Sequence, residues 1–170
     1  MRRTLLESLL NRPLTEAPPA ADETLKAALA GRLDRAARRR LGRSLAIREV
    51  DAGSCNGCEL EIIALNNALY DLERFGLRIV ASPRHADVLM VTGPVTRNME
   101  EALRRSWQAM PAPNFVVAVG DCAISGGMFA GSPACIGTVE LVLPVALRIA
   151  GCPPDPAALL RGLIALVDAA

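Results

Sequence analysis

Residues 114–127, NFVVAVGDCAISGG, contain the pattern that decides the fold. Residues 114–120 are a continuous apolar run of strand length, which is typical of a parallel strand covered on both faces. The other strand candidates are 45–50, 77–80, 86–93 and, with a weaker signal, 142–151. Helical periodicity occurs at 59–75, 97–109 and 155–170. Strands that alternate with helices predict an α/β fold with a doubly wound, mostly parallel sheet.

Four of the five cysteines follow directly on strand candidates, in loops that contain glycine. Cys55 and Cys58 form a C-x2-C pair after the first strand, Cys122 follows residues 114–120, and Cys152 follows the last strand candidate. In sheets of this kind, ligands bind outside the carboxyl ends of the strands. We therefore expect the fold to bring these four thiols together, at a metal or cluster site.

Length, charge and hydropathy narrow the class of protein. A chain of 170 residues with a net charge of +1 is one ordinary domain plus an extension, and it has no electrostatic reason to bind nucleic acid. No apolar run approaches the 18 residues that predict a membrane span. Arg2 and Arg3 are followed by Glu7, Asn11 and Arg12 rather than by an apolar stretch, so we expect no export signal. An odd number of cysteines then indicates a cytoplasmic chain with reduced thiols.

The chain is predicted to divide near residue 44, into an N-terminal helical and basic arm (1–44) and an α/β domain (45–170). Within the arm, helices are expected in 1–21 and at 22–42. The basic segment 32–43 is interpreted either as a solvated helix end, where cations are favoured, or as a docking surface for a partner subunit. Contact with an acidic membrane surface is a third alternative.

The chemistry of four thiolates limits the group that they can bind. Thiolate sets suit tetrahedral zinc or a [4Fe-4S] cluster. Structural zinc commonly uses two short C-x2–4-C pairs, whereas only one is found here. A cubane is wider than a single ion and tolerates ligands from separate loops, and Cys152-Pro153 is a frequent cluster context. The pattern favours a cluster, and a zinc-stabilised interaction module without a redox role is the alternative.

Three motifs carry a resemblance to a known family: SCNGCELEI (54–62), GDCAISGGMF (120–129) and GCPPDPAALLRGLIAL (151–166). In this order they resemble the small subunits of membrane-bound [NiFe] hydrogenases and the related 20 kDa subunit of NADH:quinone oxidoreductase. The similarity covers roughly residues 45–170. It implies a flavodoxin-like fold, a large partner subunit and one [4Fe-4S] cluster, whose ligands would be Cys55, Cys58, Cys122 and Cys152.

One departure separates the two branches of that family. The quinone-linked subunit typically has adjacent cysteines in its first motif, whereas Cys55-Asn56-Gly57-Cys58 is similar to the hydrogenase spacing. The cysteine- and histidine-rich C-terminal extension of uptake hydrogenase small subunits is not found before Ala170. This is similar to the energy-converting and formate-hydrogenlyase group, whose small subunit holds only the proximal cluster. The terminal-cluster subunit of a complex I-type quinone oxidoreductase is the alternative.

The resemblance implies electron relay and no bond-making active site on this chain. The cluster would pass electrons between a ferredoxin-like iron-sulfur subunit and the Ni-Fe site of the large hydrogenase-type subunit. Integral membrane subunits would place the complex on the inner, cytoplasmic face of the cell membrane. Within the chain, we expect four backbone N–H groups to donate hydrogen bonds to the cluster sulfurs: those of Gly53, Gly57, Gly126 and Gly127.

Other residues with reactive or titratable side chains have simpler interpretations. Cys135 lies outside the ligand pattern and is interpreted as a small packed hydrophobe. His85 precedes a strand at its amino end, the wrong edge for the site, and we expect it on the surface. Glu61 either stabilises the first turn of the helix by its negative charge or takes part in proton movement. The first interpretation is preferred, and it applies to Glu59 as well. No phosphate-loop or dinucleotide motif is found, so we expect neither nucleotide nor flavin.

Overall fold

The computed structural model describes residues 28–29, 31–32, 34–35, 38–39, 43–75 and 77–169. The helix expected in 1–21 and the first residues of the helix expected at 22–42 lie outside the described residues. The described residues between 28 and 39 are helical, as predicted. Leu29 is buried among the core residues, so this part of the arm packs on the domain.

A five-stranded parallel sheet forms the centre of the fold. Its strands are β1 (Ala46–Asp51), β2 (Arg78–Ile79), β3 (Val88–Thr92), β5 (Phe115–Val119) and β7 (Val145–Ile149). They are ordered β2-β1-β3-β5-β7, and every pairing is parallel. Counted within the sheet this is the order 2-1-3-4-5 of the flavodoxin-like doubly wound fold. The predicted fold class is confirmed.

Helices cover both faces of the sheet. They are α1 (Gly57–Ala64), α2 (Glu100–Gln108), α3 (Asp121–Ser125) and α4 (Pro156–Ala169). Side chains of α1 and α4 pack in one buried cluster with alternate residues of β3 and β5, such as Met90 and Val117. Side chains of α2 and α3 pack in a second cluster, with the intervening residues such as Leu89 and Val116. This alternation places the apolar residues of β3 and β5 in two cores, which explains why Thr92 at the end of β3 is the one polar residue in these two strands.

The helix predicted over 59–75 is wrong in its length. Helix α1 ends at Ala64, turns follow, and a 3₁₀ helix occupies Leu72–Phe75. The side chain of Asn67 accepts hydrogen bonds from the backbone N–H groups of Leu69 (2.9 Å) and Tyr70 (3.1 Å). Asparagine oxygens that bond nearby N–H groups in this way compete with the helical hydrogen bonds and favour a turn.

Several short elements were not expected from the sequence. The strands β4 (Val95–Thr96) and β6 (Cys135–Gly137) form a separate antiparallel pair, and α3 begins directly after β5. Further 3₁₀ helices occupy Pro83–His85, Gly127–Phe129 and Val139–Leu141. Within the described part of the chain, no helix combines the length and the apolar character needed to cross a membrane.

A buried carboxylate connects the residues that precede β1 to the residues that precede β3. Asp87 is fully buried and forms an ion pair with Arg43, whose side chain is half exposed. The other oxygen of Asp87 accepts a hydrogen bond from the backbone N–H of Ala46 at 2.9 Å, at the start of β1. This contact ties the start of the first strand to the residue that precedes β3.

Candidate functional site

The four predicted ligands line one cavity at the carboxyl edge of the sheet. Cys55, Cys58, Cys122 and Cys152 border a cavity of about 90 Å³. The neighbouring wall residues are Ser54, Gly57, Gly93, Asp121, Gly151 and Pro153. The fold therefore brings together three loops that are far apart in the sequence, and it does so where parallel strands end, as expected.

The first loop is shaped by hydrogen bonds from the end of β1. The carboxylate of Asp51 accepts from the N–H groups of Gly53 (2.7 Å) and Ser54 (2.6 Å), and the hydroxyl of Ser54 accepts from the N–H of Asn56 (3.0 Å). Asn56 has a left-handed backbone conformation, with φ of 72°, immediately before α1. As a result Cys55 lies in the turn and Cys58 lies in the first turn of the helix.

The other two loops leave neighbouring strands. Strand β5 ends at Val119, and Cys122 lies in the first turn of α3. Strand β7 ends at Ile149, and Cys152 follows shortly after it. Because β5 and β7 are paired with Val119 opposite Ile149, both cysteines leave the sheet at the same level.

Two glycines approach the cysteine sulfurs so closely that a side chain would collide with them. A Cβ atom at Gly120 would lie 2.6 Å from Sγ of Cys58, and one at Gly127 would lie 2.6 Å from Sγ of Cys122. Both glycines also have positive φ angles, of 85° and 51°. The backbone thus closes around the sulfurs to a distance that only glycine permits.

The cavity also changes the acidity of its thiols. Burial, and after it the charges of Glu59 and the other three cavity cysteines, raises the pKa of Cys58 to about 12. Burial first, and then nearby Cys152, raises the pKa of Cys122, whereas a hydrogen bond from the backbone N–H of Met128 lowers it. In the free chain these two thiols therefore stay protonated at neutral pH, and binding of a metal centre would release protons.

The backbone donors that the sequence led us to expect are mostly engaged elsewhere. The N–H of Gly53 donates to Asp51, that of Gly126 donates to the carbonyl of Cys122 at 2.9 Å, and that of Gly127 faces the hydroxyl of Ser125 at 3.3 Å. All three N–H groups have protein acceptors in this structure, and their donation to a bound cluster stays a prediction. The backbone N–H of Met128 is a donor that the sequence did not reveal.

The remaining residues with reactive or titratable side chains lie in three different parts of the fold. Cys135 is in β6, paired with Thr96, and is not among the residues that line the cavity. His85 is exposed and lies at the amino end of β3, as expected. Glu61 is half buried on α1, whereas Glu59 is 8% exposed and neither of its carboxylate oxygens has a hydrogen-bond partner among the described residues.

The cysteines are not grouped around a single point. Among the described residues, no three Cys, His, Asp or Glu side chains are close enough together to hold one metal ion. A site for a single water-sized occupant needs only about 10–15 Å³. The cavity is several times larger and is bordered by four thiols, which suits a polynuclear group better than one ion.

Comparison with known proteins places this site in a family. A family profile described as NADH ubiquinone oxidoreductase, 20 Kd subunit, matches residues 55–166. The chain is 43% identical over 128 residues to a probable membrane-bound hydrogenase subunit of Pyrococcus furiosus, which covers 75% of this chain and 77% of that protein. It is 43% identical over 145 residues to formate hydrogenlyase subunit 7 of Escherichia coli, covering 85% of this chain and 55% of the relative.

The other branch of the family is similar as well. An NADH-quinone oxidoreductase subunit of Bacteroides thetaiotaomicron is 47% identical over 116 residues, covering 68% of this chain and 58% of that protein. The chain thus spans little more than half the length of this relative and of the Escherichia coli protein.

A solved structure supports the same relationship. A chain of the membrane-bound sulfane sulfur reductase, an archaeal respiratory membrane complex, superimposes with a TM-score of 0.65 at 32% identity, covering 87% of this chain and 75% of that one. The resemblance predicted from the three cysteine motifs is confirmed. The chain belongs to the family of the 20 kDa subunit of NADH:ubiquinone oxidoreductase, and it is an electron-transfer subunit of the oxidoreductase complexes that this family serves.

Proposed function

We propose that this chain holds one [4Fe-4S] cluster on Cys55, Cys58, Cys122 and Cys152 and relays electrons through it. One observation carries the proposal: thiols from three separate loops border a single cavity at the carboxyl edge of a flavodoxin-like sheet. When bound, such a cluster accepts and releases one electron at a time. The protein would supply four thiolates and a close-fitting backbone cradle.

The geometry favours a cluster over the alternative zinc module. The donor set is purely thiolate, which suits both groups. The described thiols are too widely spread for one ion, and the domain has two apolar cores that do not depend on a metal. Structural zinc sites are typical of small domains that need the ion to fold.

The rim of the cavity supports docking of a partner. Large apolar side chains are exposed on the two segments that contain Cys58 and Cys122: Leu60 (58%) and Ile63 (62%) on α1, and Met128 (94%) and Phe129 (45%) just after α3. Cys55 and Cys152 are themselves exposed. A partner surface that covers this rim would exclude water from the cluster and shorten the path for electron transfer. We assign this position to the large, Ni-Fe hydrogenase-type subunit.

The remaining partners follow from the relatives. Electrons would arrive from, or leave to, a ferredoxin-like iron-sulfur subunit, and integral membrane subunits would hold the complex on the inner, cytoplasmic face of the cell membrane. Any bond chemistry would take place on the large subunit and not on this chain. Two relatives support the hydrogenase branch, the membrane-bound hydrogenase subunit and formate hydrogenlyase subunit 7. A terminal-cluster subunit of a complex I-type quinone oxidoreductase is the second candidate, favoured by the 47% identity to the NADH-quinone oxidoreductase relative.

Anaerobic iron and sulfide analysis, with EPR of the dithionite-reduced chain, tests the cluster. We expect about four iron and four sulfide per chain and a cubane-type signal that is lost or altered in Cys122→Ser. Cys135→Ser is the matched control, because Cys135 lies in β6 outside the cavity, and it should behave as the wild type. One zinc and no iron would refute the relay function. Nickel in the co-purifying large subunit would distinguish the hydrogenase from the quinone-linked candidate.

A further inference from the structure

One side chain joins two of the three cysteine loops. The carboxylate of Asp121 accepts a hydrogen bond from the backbone N–H of Gly151 at 2.9 Å. In return, the backbone N–H of Asp121 donates to the carbonyl of Gly151, also at 2.9 Å. Asp121 immediately precedes Cys122, and Gly151 immediately precedes Cys152, so the reciprocal pair connects the two cysteines through their direct neighbours.

The two hydrogen bonds between Asp121 and Gly151 continue the sheet beyond the last backbone hydrogen bond of its β5–β7 ladder. The N–H of Gly120 donates to the carbonyl of Ile149 at 2.8 Å, which is the final step between the ends of β5 and β7. The backbones then separate into two loops, and the carboxylate of Asp121 supplies the acceptor that a further strand residue would have supplied. The spacing of the two loops is thereby fixed at the point where their cysteines enter the cavity.

The contrast with Asp51 shows why Asp121 is distinctive. Asp51 also accepts hydrogen bonds from backbone N–H groups, but its partners, Gly53 and Ser54, lie two and three residues away in the same loop. Asp121 reaches across 30 residues of sequence. Loss of the Asp51 contacts would loosen one loop, whereas loss of the Asp121 contact would change the separation between two.

Asp121 also places a negative charge next to a predicted ligand. It lines the cavity, and its side chain is exposed to solvent in this chain. Reduction adds an electron to a cluster, so a nearby negative charge disfavours reduction, and burial against a partner would strengthen this effect by lowering the dielectric.

We propose that Asp121 is a positioning residue for the cluster, which holds Cys122 and Cys152 at a fixed separation through Gly151 and lowers the reduction potential by its charge. The proposal rests on the proposed function, because it assumes that these cysteines bind the cluster. Its two components are separable, because asparagine retains the accepting oxygen and removes the charge, whereas alanine removes both.

The test uses the full chain, reconstituted anaerobically with iron and sulfide, as Asp121→Asn and Asp121→Ala. The readouts are the rate of iron loss to a chelator, the EPR line shape and the reduction potential. We expect both variants to have a raised potential, because both lack the charge. In the alanine variant we also expect about tenfold faster iron loss, since a hydrogen bond to a charged group has been removed, together with a broadened signal. The asparagine variant keeps a neutral acceptor, so its rate of iron loss should stay within about threefold of the wild type, with the wild-type line shape.

Asp155→Ala and Asp155→Asn are the matched controls. Asp155 is likewise exposed and close in sequence to a predicted ligand, but its carboxylate accepts from the N–H of Ala158 within its own helix start. Its variants should leave the rate of iron loss within about threefold of the wild type, because the contact joins no second loop. An Asp121→Ala cluster with wild-type iron loss, line shape and potential would overturn the proposal.

A readout in the metal-free chain separates this proposal from the proposed function. Hydrogen exchange at the Gly151 amide, followed by NMR, should be faster in Asp121→Ala and unchanged in Asp121→Asn. A wild-type chain that binds one zinc and no iron refutes the relay function, and the link between the loops is then judged on amide exchange alone. Unchanged exchange at Gly151 in the alanine variant refutes the positioning role in either case.

Discussion

Replacement of Gly127 by alanine should remove the cluster while leaving the chain folded. An alanine Cβ at this position would lie 2.6 Å from Sγ of Cys122, whereas ordinary contacts begin at 3.4 Å, so the sulfur must move by about 0.8 Å or more. Metal–ligand distances are fixed to within about 0.2 Å, so a bound thiolate cannot absorb this shift. In the metal-free chain, rotation of the Cys122 side chain relieves the contact with Sγ. The remaining tight contact, of 3.1 Å with Cα of Cys122, needs a backbone shift of only a few tenths of an ångström.

Gly131→Ala is the matched control for backbone strain. Gly131 also has a positive φ, of 81°, but no atom lies within 4 Å of the position that its Cβ would occupy. A left-handed alanine costs about 1–2 kcal/mol, which corresponds to a fall of about 2–8 °C in Tm for a chain of this size. Both metal-free variants should show a fall of this order in circular dichroism melts, and only Gly127→Ala should lose the cluster.

Iron and sulfide analysis after anaerobic reconstitution measures the difference. We expect Gly131→Ala to bind iron as the wild type does, and Gly127→Ala to lose iron to a chelator about tenfold faster or more, since a tenfold change needs only about 1.4 kcal/mol. A Gly127→Ala chain that retains its iron with the wild-type rate of loss would refute the role of this close approach.

Three further predictions concern stability and docking. Glu49→Gln should raise the free energy of unfolding at neutral pH. Burial, and after it neighbouring carboxylates, raises the pKa of Glu49 above 4.5, so the ionised carboxylate destabilises the folded chain once the pH has risen through the folded-state pKa. The stability gained in the variant should vanish below pH 4.5 in urea titrations, and an equal gain at both pH values would contradict this cause. Asp87→Ala should lower the free energy of unfolding by about 2–3 kcal/mol, because a buried N–H loses its acceptor; a change below about 0.5 kcal/mol would show that water replaces the carboxylate. Leu60→Asp and Met128→Asp should each weaken binding of the large subunit about tenfold in pull-down titrations, without altering the melt of this chain. Leu141→Asp is the control, because Leu141 is about as exposed as Leu60 but lies ahead of the amino end of β7, and this variant should keep the wild-type affinity and melt. Full affinity in the first two variants would place the partner elsewhere.

The sheet could be predicted because its signal is local. Strands β3 and β5 are covered on both faces, so their sequences are short apolar runs, interrupted only by Thr92 at the end of β3, whose length and β-branched residues favour a strand over a helix. The rules for alternating strands and helices predict a doubly wound parallel sheet but leave several strand orders open, and the flavodoxin-like order is implied only by the family resemblance. The convergence of Cys55, Cys122 and Cys152 needed no further information, since carboxyl ends of parallel strands share one edge.

Features that depend on competing hydrogen bonds could not be predicted in this way. The periodicity of 59–75 continues past Ala64, but the side chain of Asn67 provides a turn that is stronger than the remaining helical pattern. Likewise, Gly53 and Gly126 carry N–H groups of the expected type, yet nearby acceptors already occupy them. The contact of Asp121 with Gly151 depends on the pairing of β5 with β7, and the sequence between them contains no sign of it.

The placement of the cysteines on an independently stable sheet has a consequence for biogenesis. Among the described residues, none of the buried core side chains lines the cavity, although Cys58 of the cavity packs against the first core, so the pocket can exist before any metal arrives. On our proposal the large subunit covers the exposed apolar side chains of α1 and of the segment after α3, together with the cavity mouth at Cys55 and Cys152, which reach solvent. A partner seated there would close the entrance. On our proposal, maturation therefore has an obligatory sequence: the chain folds, the cluster is inserted, and only then does the large subunit dock, so that a complex assembled too early would remain permanently without its cluster.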